Sequence, residues 1–522
     1  MTSTLRHKKR PSKSGLFFLF ALFLVPALLS SCSPKISESA RKAQKAVRRG
    51  YEEKRVEMRG VWMPTVSRSY YAGKSPDEIR RYLTDALDRY EKAGINAVFF
   101  QVRSEGDAFY PSAYEPWSRF LTGTQGKAPN PYWDPLDFMI REAHKRHLEL
   151  HAWINPYRVA INASNSVSPS HITARHPEWC VRYGNLLVLN PALQEVRDYT
   201  AAIVRDLVTR YDIDGVHMDD YFYPYPEAGR AFPDQKEYRI YGTQYASVGD
   251  FRRENVNRLI RQLHVTIKGI KPWVRFGVSP FGIFRNKRTD PSGSNTSGLQ
   301  NYDDLYADVL LWDQMGWVDY TLPQLYWEMG HKAADYTELA YWWQKNITKG
   351  HYYIGQSIRR TMDPGQLDEK MIIAAEAAEG NVLWPHEDLL ANYKNFGQEL
   401  RTRYWKDKAL LPPSPYPEYL KDFPEPERDA VILKGTSGQE LVWMDDPQLP
   451  DGLETKFYVI YTHRRGASTK EIFQTGNITA LTTATKYRPL ELEGTFRLAF
   501  TITRIDRYNH EHIIARNIPV VL

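Results

Sequence analysis

The sequence predicts an α/β fold in which a (β/α)₈ TIM barrel is followed by a C-terminal β-sandwich. From Met58 onward, eight short apolar runs alternate with longer amphipathic segments, which is the pattern of a (β/α)₈ barrel. After a Pro-rich stretch at 411–426, the chain changes to short alternating runs separated by turn signals such as Asp451-Gly452, which is typical of a sandwich. A chain of 522 residues also exceeds what one hydrophobic core usually supports, so about two domains are expected.

The apolar runs and the segments between them give the expected barrel elements. The predicted strands are 59–63, 97–102, 149–154, 215–218, 275–278, 320–325, 352–355 and 381–384. The predicted helices are 76–93, 135–147, 193–211, 249–270, 302–316, 336–345, 368–378 and 388–404. A doubly wound open sheet would show the same alternation, but no Gly-rich phosphate loop follows the first strand, and this favours the barrel.

The composition of the chain sets the expected domain boundaries. We expect the barrel to cover 56–405, a Pro-rich linker to cover 406–427, and a fibronectin type III-like sandwich to cover 428–522. No catalytic constellation occurs in the C-terminal runs. A structural or docking role is therefore expected for the sandwich.

The N-terminus has the pattern of a signal peptide covering 1–31. A basic region precedes an apolar run at 16–29, which is too short for a comfortable membrane span. The tetrapeptide LSSC at 29–32 resembles the lipobox of bacterial lipoproteins, so Cys32 is expected to be lipidated and 32–55 to form a polar tether. The protein is then expected in the bacterial cell envelope, anchored to the outer membrane. An ordinary secretory signal with an incidental cysteine is the alternative.

The net charge of +7 comes from the N-terminal segment. Residues 1–55 hold 13 Lys/Arg and 3 Asp/Glu, which leaves 56 basic and 59 acidic residues in the rest of the chain. Because the folded body has no basic excess, no nucleic-acid partner is expected. The chain has 2 cysteines. With Cys32 acylated, Cys180 has no disulfide partner within the chain and is expected to be buried and inert.

Two adjacent carboxylates end the fourth predicted strand, at the end where barrel enzymes place their active sites. Glycoside hydrolysis requires two carboxyl groups flanking the scissile bond, and Asp219 is expected to be the nucleophile or base. Side chains alternate along a strand, so Asp219 and Asp220 are expected to point in different directions. The candidates for the second catalytic carboxyl are Glu328, Asp107 and Asp220, in that order.

Other polar and aromatic residues at the strand ends are expected to bind a polysaccharide substrate. They are Arg103, His151, Asn155, Tyr157, Arg158, His217, Tyr221, Tyr223, Gln324, Tyr326 and Trp327. The aromatic share of 13% is typical both of sugar-binding clefts and of large cores.

Two alternatives to a glycosidase stay open. A metal-dependent hydrolase or deacetylase would use His151 and His217 with the two aspartates, although the spacing lacks a tight ligand cluster and histidines in apolar runs are usually core residues. We therefore expect no metal and no other cofactor. The second alternative is a non-catalytic glycan-binding surface lipoprotein.

Six motif regions resemble the glycosyl hydrolase-like 10 family of bacterial barrel proteins. They are MRGVW at 58–62, QVR with GDAFY at 101–110, WINPYR at 153–158, DGVHMDDYFYP at 214–224, GVSPFG at 277–282 and PQLYW at 323–327. The resemblance implies a (β/α)₈ barrel in the outer envelope. Its best-understood activity, cleavage of peptide-free peptidoglycan glycan strands, belongs to relatives.

The resemblance also implies a set of cleft residues. Matching positions are Arg103, Asp107, Asn155, Asp219, Asp220, Gln324 and Tyr326. Two positions depart from the shared pattern. Ser104-Glu105 stands where many relatives are expected to carry Pro and a small residue, and Glu328 lies just past the last motif.

Overall fold

The computed structural model describes residues 37–67, 70–421, 423, 430–435, 438–444, 448–489 and 497–519. The expected signal peptide and the expected lipidation site at Cys32 lie outside these residues. None of the helices within the described ranges combines the length and the apolar character that a membrane span requires.

Nine parallel strands form the central sheet of the described chain. They are β1 (Met58–Met63), β2 (Ala97–Arg103), β3 (Glu149–Ile154), β4 (Gly215–Met218), β5 (Arg275–Val278), β6 (Tyr320–Thr321), β7 (His351–Tyr352), β8 (Ile354–Ser357) and β9 (Gly380–Trp384). Their spatial order is β7-β6-β5-β4-β3-β2-β1-β9-β8. Each apolar run predicted as a strand contains strand residues, since buried parallel strands read as continuous hydrophobic segments, and the run predicted at 352–355 is divided between β7 and β8.

The two ends of this sheet meet at a single extended segment. Strands β7 and β8 are separated by Tyr353, and β7 pairs with β6 while β8 pairs with β9. Strand β9 in turn pairs with β1. The sheet is therefore a nearly closed barrel, interrupted at Tyr353, and the predicted barrel fold is confirmed.

Helices cover the outside of the barrel. The longer ones are Pro76–Lys92, Pro135–His144, Gln194–Arg210, Val248–Lys268, Tyr336–Asn346 and Leu367–Ala377. Shorter helical pieces are Arg119–Thr122, Ile172–Arg175, Pro177–Trp179, Gln235–Tyr241, Asn301–Asp304, Val309–Gln314, Arg359–Met362, His386–Leu390, Tyr393–Asn395, Phe396–Glu399, Leu400–Tyr404 and Glu418–Leu420. The first long helix begins with a capping box between Ser75 and Glu78, a local signal that fixes a helix start.

Two predicted helices are each broken into pieces. The segment predicted as 302–316 is interrupted at Tyr306, which has a φ of 54°, and a new helix begins beyond the cap residue Asp308. The segment predicted as 388–404 is interrupted at Asn392 and Asn395, which have φ values of 48° and 67°. Asparagine tolerates this left-handed conformation better than most residues, so these breaks depend on backbone geometry rather than on the apolar pattern.

The segments expected as tether and linker pack against the barrel. Helix Glu38–Arg49 buries Ala43 and Ala46, and Arg49 forms a 2.7 Å ion pair with Glu376. In the Pro-rich stretch, the Leu410 carbonyl accepts from the Glu57 N–H at 2.8 Å. Both segments are therefore ordered parts of the fold over these residues.

The C-terminal region contains two antiparallel sheets. One is formed by β10 (Ala430–Gly435), β11 (Gly438–Trp443) and β14 (Lys486–Tyr487); the other by β12 (Phe457–Arg464), β13 (Ile478–Thr482), β15 (Leu498–Ile505) and β16 (Glu511–Pro519), with two short helical pieces, Thr469–Ile472 and Thr475–Asn477. Leu441 and Trp443 from the first sheet share a core with Tyr458 and Ile502 from the second. The region is sheet-rich as expected, and its assignment as fibronectin type III stays a prediction.

Candidate active site

A cleft of about 420 Å³ opens at the carboxyl ends of the barrel strands. This is the face on which barrel enzymes carry their active sites. The cleft is lined by Trp62, Pro64, Val66, Ser67, Gln101, Trp153, Arg158, Asp219, Asp220, Tyr221, Tyr225, Ser279, Gln324, Tyr326 and Trp384.

Asp219 follows β4 directly and is held by several N–H donors. Trp153 Nε1 donates to Oδ2 at 3.1 Å, and Asn155 Nδ2 lies 3.1 Å and 3.2 Å from the two carboxylate oxygens. The backbone N–H of Tyr221 lies 3.4 Å from Oδ1. Burial raises the pKa of Asp219, whereas the Arg158 guanidinium and these donors oppose the rise. The donors therefore stabilise the ionised carboxylate.

Asp220 lies in the same cleft and is more strongly biased toward its protonated form. Burial and the neighbouring charge of Asp219 raise the pKa of Asp220 to about 6, and hydrogen bonds from Tyr225 and Gln324 oppose the rise. The Tyr225 hydroxyl donates to Oδ2 of Asp220. The two carboxyl groups thus differ in proton affinity, as an acid and its ionised partner must.

The expectation that the two aspartates would point in different directions is not met, because both line the cleft. The alternation rule applies to residues inside a strand. Strand β4 ends at Met218, and beyond it the chain turns, with the Phe222 N–H donating to the Asp220 carbonyl at 3.0 Å. The turn brings both side chains to one side.

Aromatic rings line the cleft in two groups. Tyr326 and Trp384 are stacked, with ring centroids 6.5 Å apart and an interplanar angle of 14°, and Trp62 meets Tyr326 edge-on at 6.3 Å. In the second group, Tyr221 stacks on Tyr225 at 5.4 Å. Flat apolar faces with polar tips can stack on sugar rings and bond their hydroxyls.

The structure places Glu328 and Asp107 outside the residues that line the cleft. Glu328 forms a 2.8 Å ion pair with Arg360. Burial raises the pKa of Glu328, but the hydrogen bond and charge of Arg360, a backbone hydrogen bond and the charge of Lys370 together lower it. Asp107 is fully buried and accepts from the Ser104 hydroxyl at 3.3 Å and from the Glu105 N–H at 3.2 Å. Both therefore have structural partners in place of a position at the scissile bond.

His151 and His217 lie in the barrel interior below the cleft. Both are fully buried, and each has a ring nitrogen within 3.1 Å of the Tyr320 hydroxyl. Within the described residues, no group of three or more His, Cys, Asp or Glu side chains is arranged to hold a metal ion. Cys180 is partly buried, and burial raises the pKa of its thiol to about 12.

The other predicted binding residues divide into lining and supporting positions. Arg158, Tyr221, Gln324 and Tyr326 line the cleft. The remainder are absent from the lining. Arg103 is paired with Glu115 at 2.7 Å and donates to the Asn155 carbonyl, Tyr157 and Tyr223 are buried, and Trp327 packs edge-on against Phe281 at 5.3 Å.

Several cleft residues were missed by the sequence reasoning. They are Trp62, Gln101, Trp153, Tyr225, Ser279 and Trp384. Trp62 and Trp384 stand at the ends of β1 and β9, so the strand-end rule that found Asp219 would have found them on the first and last strands. Trp153, like Trp62, is the next-to-last residue of its strand. No signal in the sequence marks its indole N–H as a partner of Asp219.

Comparisons with known proteins identify the family of the chain. The model of the family glycosyl hydrolase-like 10 matches residues 57–373. The chain is 42% identical over 424 residues to glycosyl hydrolase YngK of Bacillus subtilis, covering 78% of this chain and 82% of the relative. It is 40% identical over 338 residues to glycosyl hydrolase DigH of Escherichia coli K12, covering 60% of this chain and 76% of the relative. Among solved structures, it is similar to the PgaB (BpsB) glycoside hydrolase domain of Bordetella bronchiseptica, with 12% identity and a TM-score of 0.45 over 67% of this chain and 99% of that one. The resemblance inferred from the six motif regions is thereby confirmed, and the chain belongs to the glycosyl hydrolase-like 10 family.

Proposed function

We propose that the protein is a glycoside hydrolase that cleaves a polysaccharide by a two-carboxylate acid/base mechanism, with peptidoglycan glycan strands as the favoured substrate. The observation that carries this proposal is the pair Asp219 and Asp220, which lie in one aromatic cleft in unequal electrostatic environments. Glycosidases need such a pair, one carboxyl protonated and one ionised.

The environments of the two carboxyl groups suggest their roles. Asp220, with a pKa of about 6, is about half protonated at pH 6 and about one-tenth protonated at pH 7, and it is suited to protonate the leaving glycosidic oxygen. Asp219, held by N–H donors from Trp153 and Asn155, is suited to act as the ionised nucleophile or base. This assignment replaces Glu328 by Asp220 as the favoured second carboxyl.

The lining of the cleft favours a glycan substrate. Two carboxyl groups and one guanidinium, Arg158, are the formal charges among the lining residues, and six of the fifteen lining residues are aromatic. The best-understood activity among relatives in the family is cleavage of peptide-free peptidoglycan strands, and this supports the same substrate for this protein. The lipobox-like LSSC at 29–32 supports a lipid anchor at Cys32 and a site in the cell envelope, where such strands occur.

A product-resolved digestion tests the proposal. Purified full-length protein in mild detergent is incubated with peptide-free glycan strands, intact peptidoglycan, chitin oligomers and a mannan, and new reducing ends are identified by mass spectrometry. We expect oligosaccharides from the peptide-free strands. Cleavage of a different polysaccharide would contradict the substrate assignment, and binding without any product would contradict the enzymatic one.

Replacing Tyr225 with Phe is expected to move the alkaline limb of the pH–rate profile upward by about one unit. The Tyr225 hydroxyl donates to Asp220 and lowers its pKa. Without this bond the pKa rises, so the acid stays protonated to higher pH. The measurement is kcat/KM against pH. Tyr221→Phe removes a neighbouring cleft hydroxyl and should leave the limb in place. A downward shift in the Tyr225 variant would contradict Asp220 as the acid.

A further inference from the structure

A chain of buried polar groups runs through the barrel interior from its amino-terminal end toward the cleft. His151 Nε2 lies 3.1 Å from Glu149 Oε2, and His151 Nδ1 lies 2.9 Å from the Tyr320 hydroxyl. The same hydroxyl lies 3.1 Å from His217 Nδ1. His217 Nε2 then lies 3.1 Å from Trp62 Nε1. Each of these side chains is at most 4% exposed, so water does not compete for the bonds.

Two glycines leave the room that this axial chain occupies. A Cβ at Gly215 would approach His151 Nδ1 to 2.3 Å, and a Cβ at Gly277 would approach the Tyr320 ring to 2.1 Å. Side chains at either position would displace the ring beside it. The close approach of these two rings to the backbone therefore requires glycine.

The lower end of the axial chain, at Glu149, is completed by residues of the C-terminal region. Lys456 Nζ lies 2.8 Å from Glu149 Oε1 and 3.1 Å from Asp214 Oδ1. Asn509 Nδ2 also donates to Glu149 Oε1 at 2.7 Å, and Arg275 lies 3.9 Å from Oε2. Burial favours a protonated Glu149, but Lys456 and Arg275 outweigh it and hold its pKa well below the usual range.

With both imidazoles neutral, the charge at the lower end sets the direction of every bond above it. An ionised Glu149 can only accept, so His151 carries its proton on Nε2 and accepts at Nδ1 from the Tyr320 hydroxyl. The Tyr320 oxygen then accepts from His217 Nδ1–H. This leaves His217 Nε2 bare to accept from Trp62 Nε1, which can only donate. The charge of Glu149 at one end of the axial chain and the indole N–H of Trp62 at the other end therefore require the same set of tautomers.

The upper end of the axial chain reaches the cleft at two residues. Trp62 lines the cleft and supports Tyr326 edge-on. Ser279 Oγ lies 3.0 Å from His217 Nε2, and the Ser279 carbonyl accepts from Gln324 Nε2 at 2.9 Å. Gln324 hydrogen-bonds to Asp220. The positions of the cleft wall and of one carboxyl group thus depend on the state of His217.

We propose that Lys456 is a positioning residue for the cleft. Through Glu149 and the axial chain, it fixes the tautomers of His151 and His217. These tautomers in turn fix the positions of the Trp62 and Gln324 side chains. The C-terminal region then contributes to the reaction without touching substrate. The kinetic part of this inference rests on the proposed function, whereas the tautomer part does not.

Loss of the Lys456 charge is expected to reverse the axial chain. Glu149 then takes a proton from solvent and donates it toward His151 Nε2, so His151 carries its own proton on Nδ1. The Tyr320 hydroxyl consequently turns to His217 Nδ1, and His217 becomes the Nε2–H tautomer. Two N–H groups, from His217 and Trp62, would face each other at a 3.1 Å separation, and Trp62 must move.

The experiment compares Lys456→Met with Arg507→Met in the full-length chain. Arg507 makes a different ion pair between the same two regions, 2.9 Å from Asp212, so it controls for weaker docking. Histidine side chains labelled with ¹⁵N report the tautomer of His217 by NMR, with His217→Gln identifying its signals. We expect the Nδ1–H pattern in the wild type and in Arg507→Met, and the Nε2–H pattern in Lys456→Met.

The kinetic readout is a fall in kcat of about tenfold to a hundredfold for Lys456→Met, with a smaller change in KM, because cleft groups are misplaced rather than removed. Should Lys456→Met fail to fold, Tyr320→Phe cuts the axial chain at its middle and is expected to lower kcat similarly. An unchanged His217 tautomer in folded Lys456→Met, or wild-type kcat in Tyr320→Phe, would overturn the inference. A wild type inactive on every glycan would instead refute the proposed function and leave the tautomer result standing.

Discussion

Replacing Asp219 with Asn is expected to reduce glycan cleavage by about a thousandfold or more, with the fold retained. The substitution preserves volume but removes the negative charge that faces the reacting sugar. It also turns an amide N–H toward the donors Trp153 Nε1 and Asn155 Nδ2, which now meet the carboxylate at 3.1 Å. Release of reducing ends measures the loss, and circular dichroism with thermal unfolding measures the fold.

Glu328→Gln is the matched control for that variant. It removes a carboxylate that the sequence favoured as the second catalytic group but that the structure pairs with Arg360 at 2.8 Å, apart from the cleft lining. Activity close to that of the wild type is expected. Full activity in Asp219→Asn would contradict the assignment of Asp219, and an equal loss in Glu328→Gln would return that residue to the site.

Replacing Asp220 with Asn is expected to lower cleavage of natural glycan by about a hundredfold to ten-thousandfold, the range for a lost general acid. As the proposed general acid, Asp220 is active when protonated, so the wild-type rate should fall as pH rises through about 6. The variant has no proton to lose at this position. The alkaline limb of its pH–rate profile should therefore disappear.

A substrate with a different leaving group shows whether Asp220 acts as a general acid or only positions other groups. An aryl glycoside with an acidic phenol needs little protonation as the bond breaks. Asp220→Asn should therefore cleave it at close to the wild-type rate while failing on the natural glycan. If both substrates suffered the same loss, Asp220 would be acting on the geometry of Asp219, and the acid would have to be sought among groups brought by the substrate.

Much of the barrel was predictable because strand and helix periods differ along the chain. The runs at 149–154, 215–218 and 275–278 became strands with the expected bounds. The run at 320–325 shortened to Tyr320–Thr321, because Pro323 lacks an N–H to continue a ladder. Helix breaks at Tyr306 and Asn392 depend on single backbone angles, which hydrophobic spacing does not reveal.

The site was partly predictable for a related reason. Sequence position placed Asp219 and Tyr326 at strand ends, where a barrel exposes them. It could not show whether a carboxylate there meets a cation, as Glu328 meets Arg360. Nor could it show that His151 and His217 face the barrel interior and bond to Tyr320. Such partners come from distant segments, and their contacts are a property of the assembled fold.

The floor of the barrel has a consequence for how the protein can diversify. Leu411 completes the interior apolar cluster, Arg275 donates to the Pro412 carbonyl, and Lys456 neutralises Glu149 and Asp214. A shorter protein that ended at the last barrel helix would lack Lys456. Glu149 and Asp214 would then be poorly compensated and exposed to water at the base of the barrel. Recombination between homologues with a junction in the Pro-rich stretch is therefore expected to yield less stable barrels.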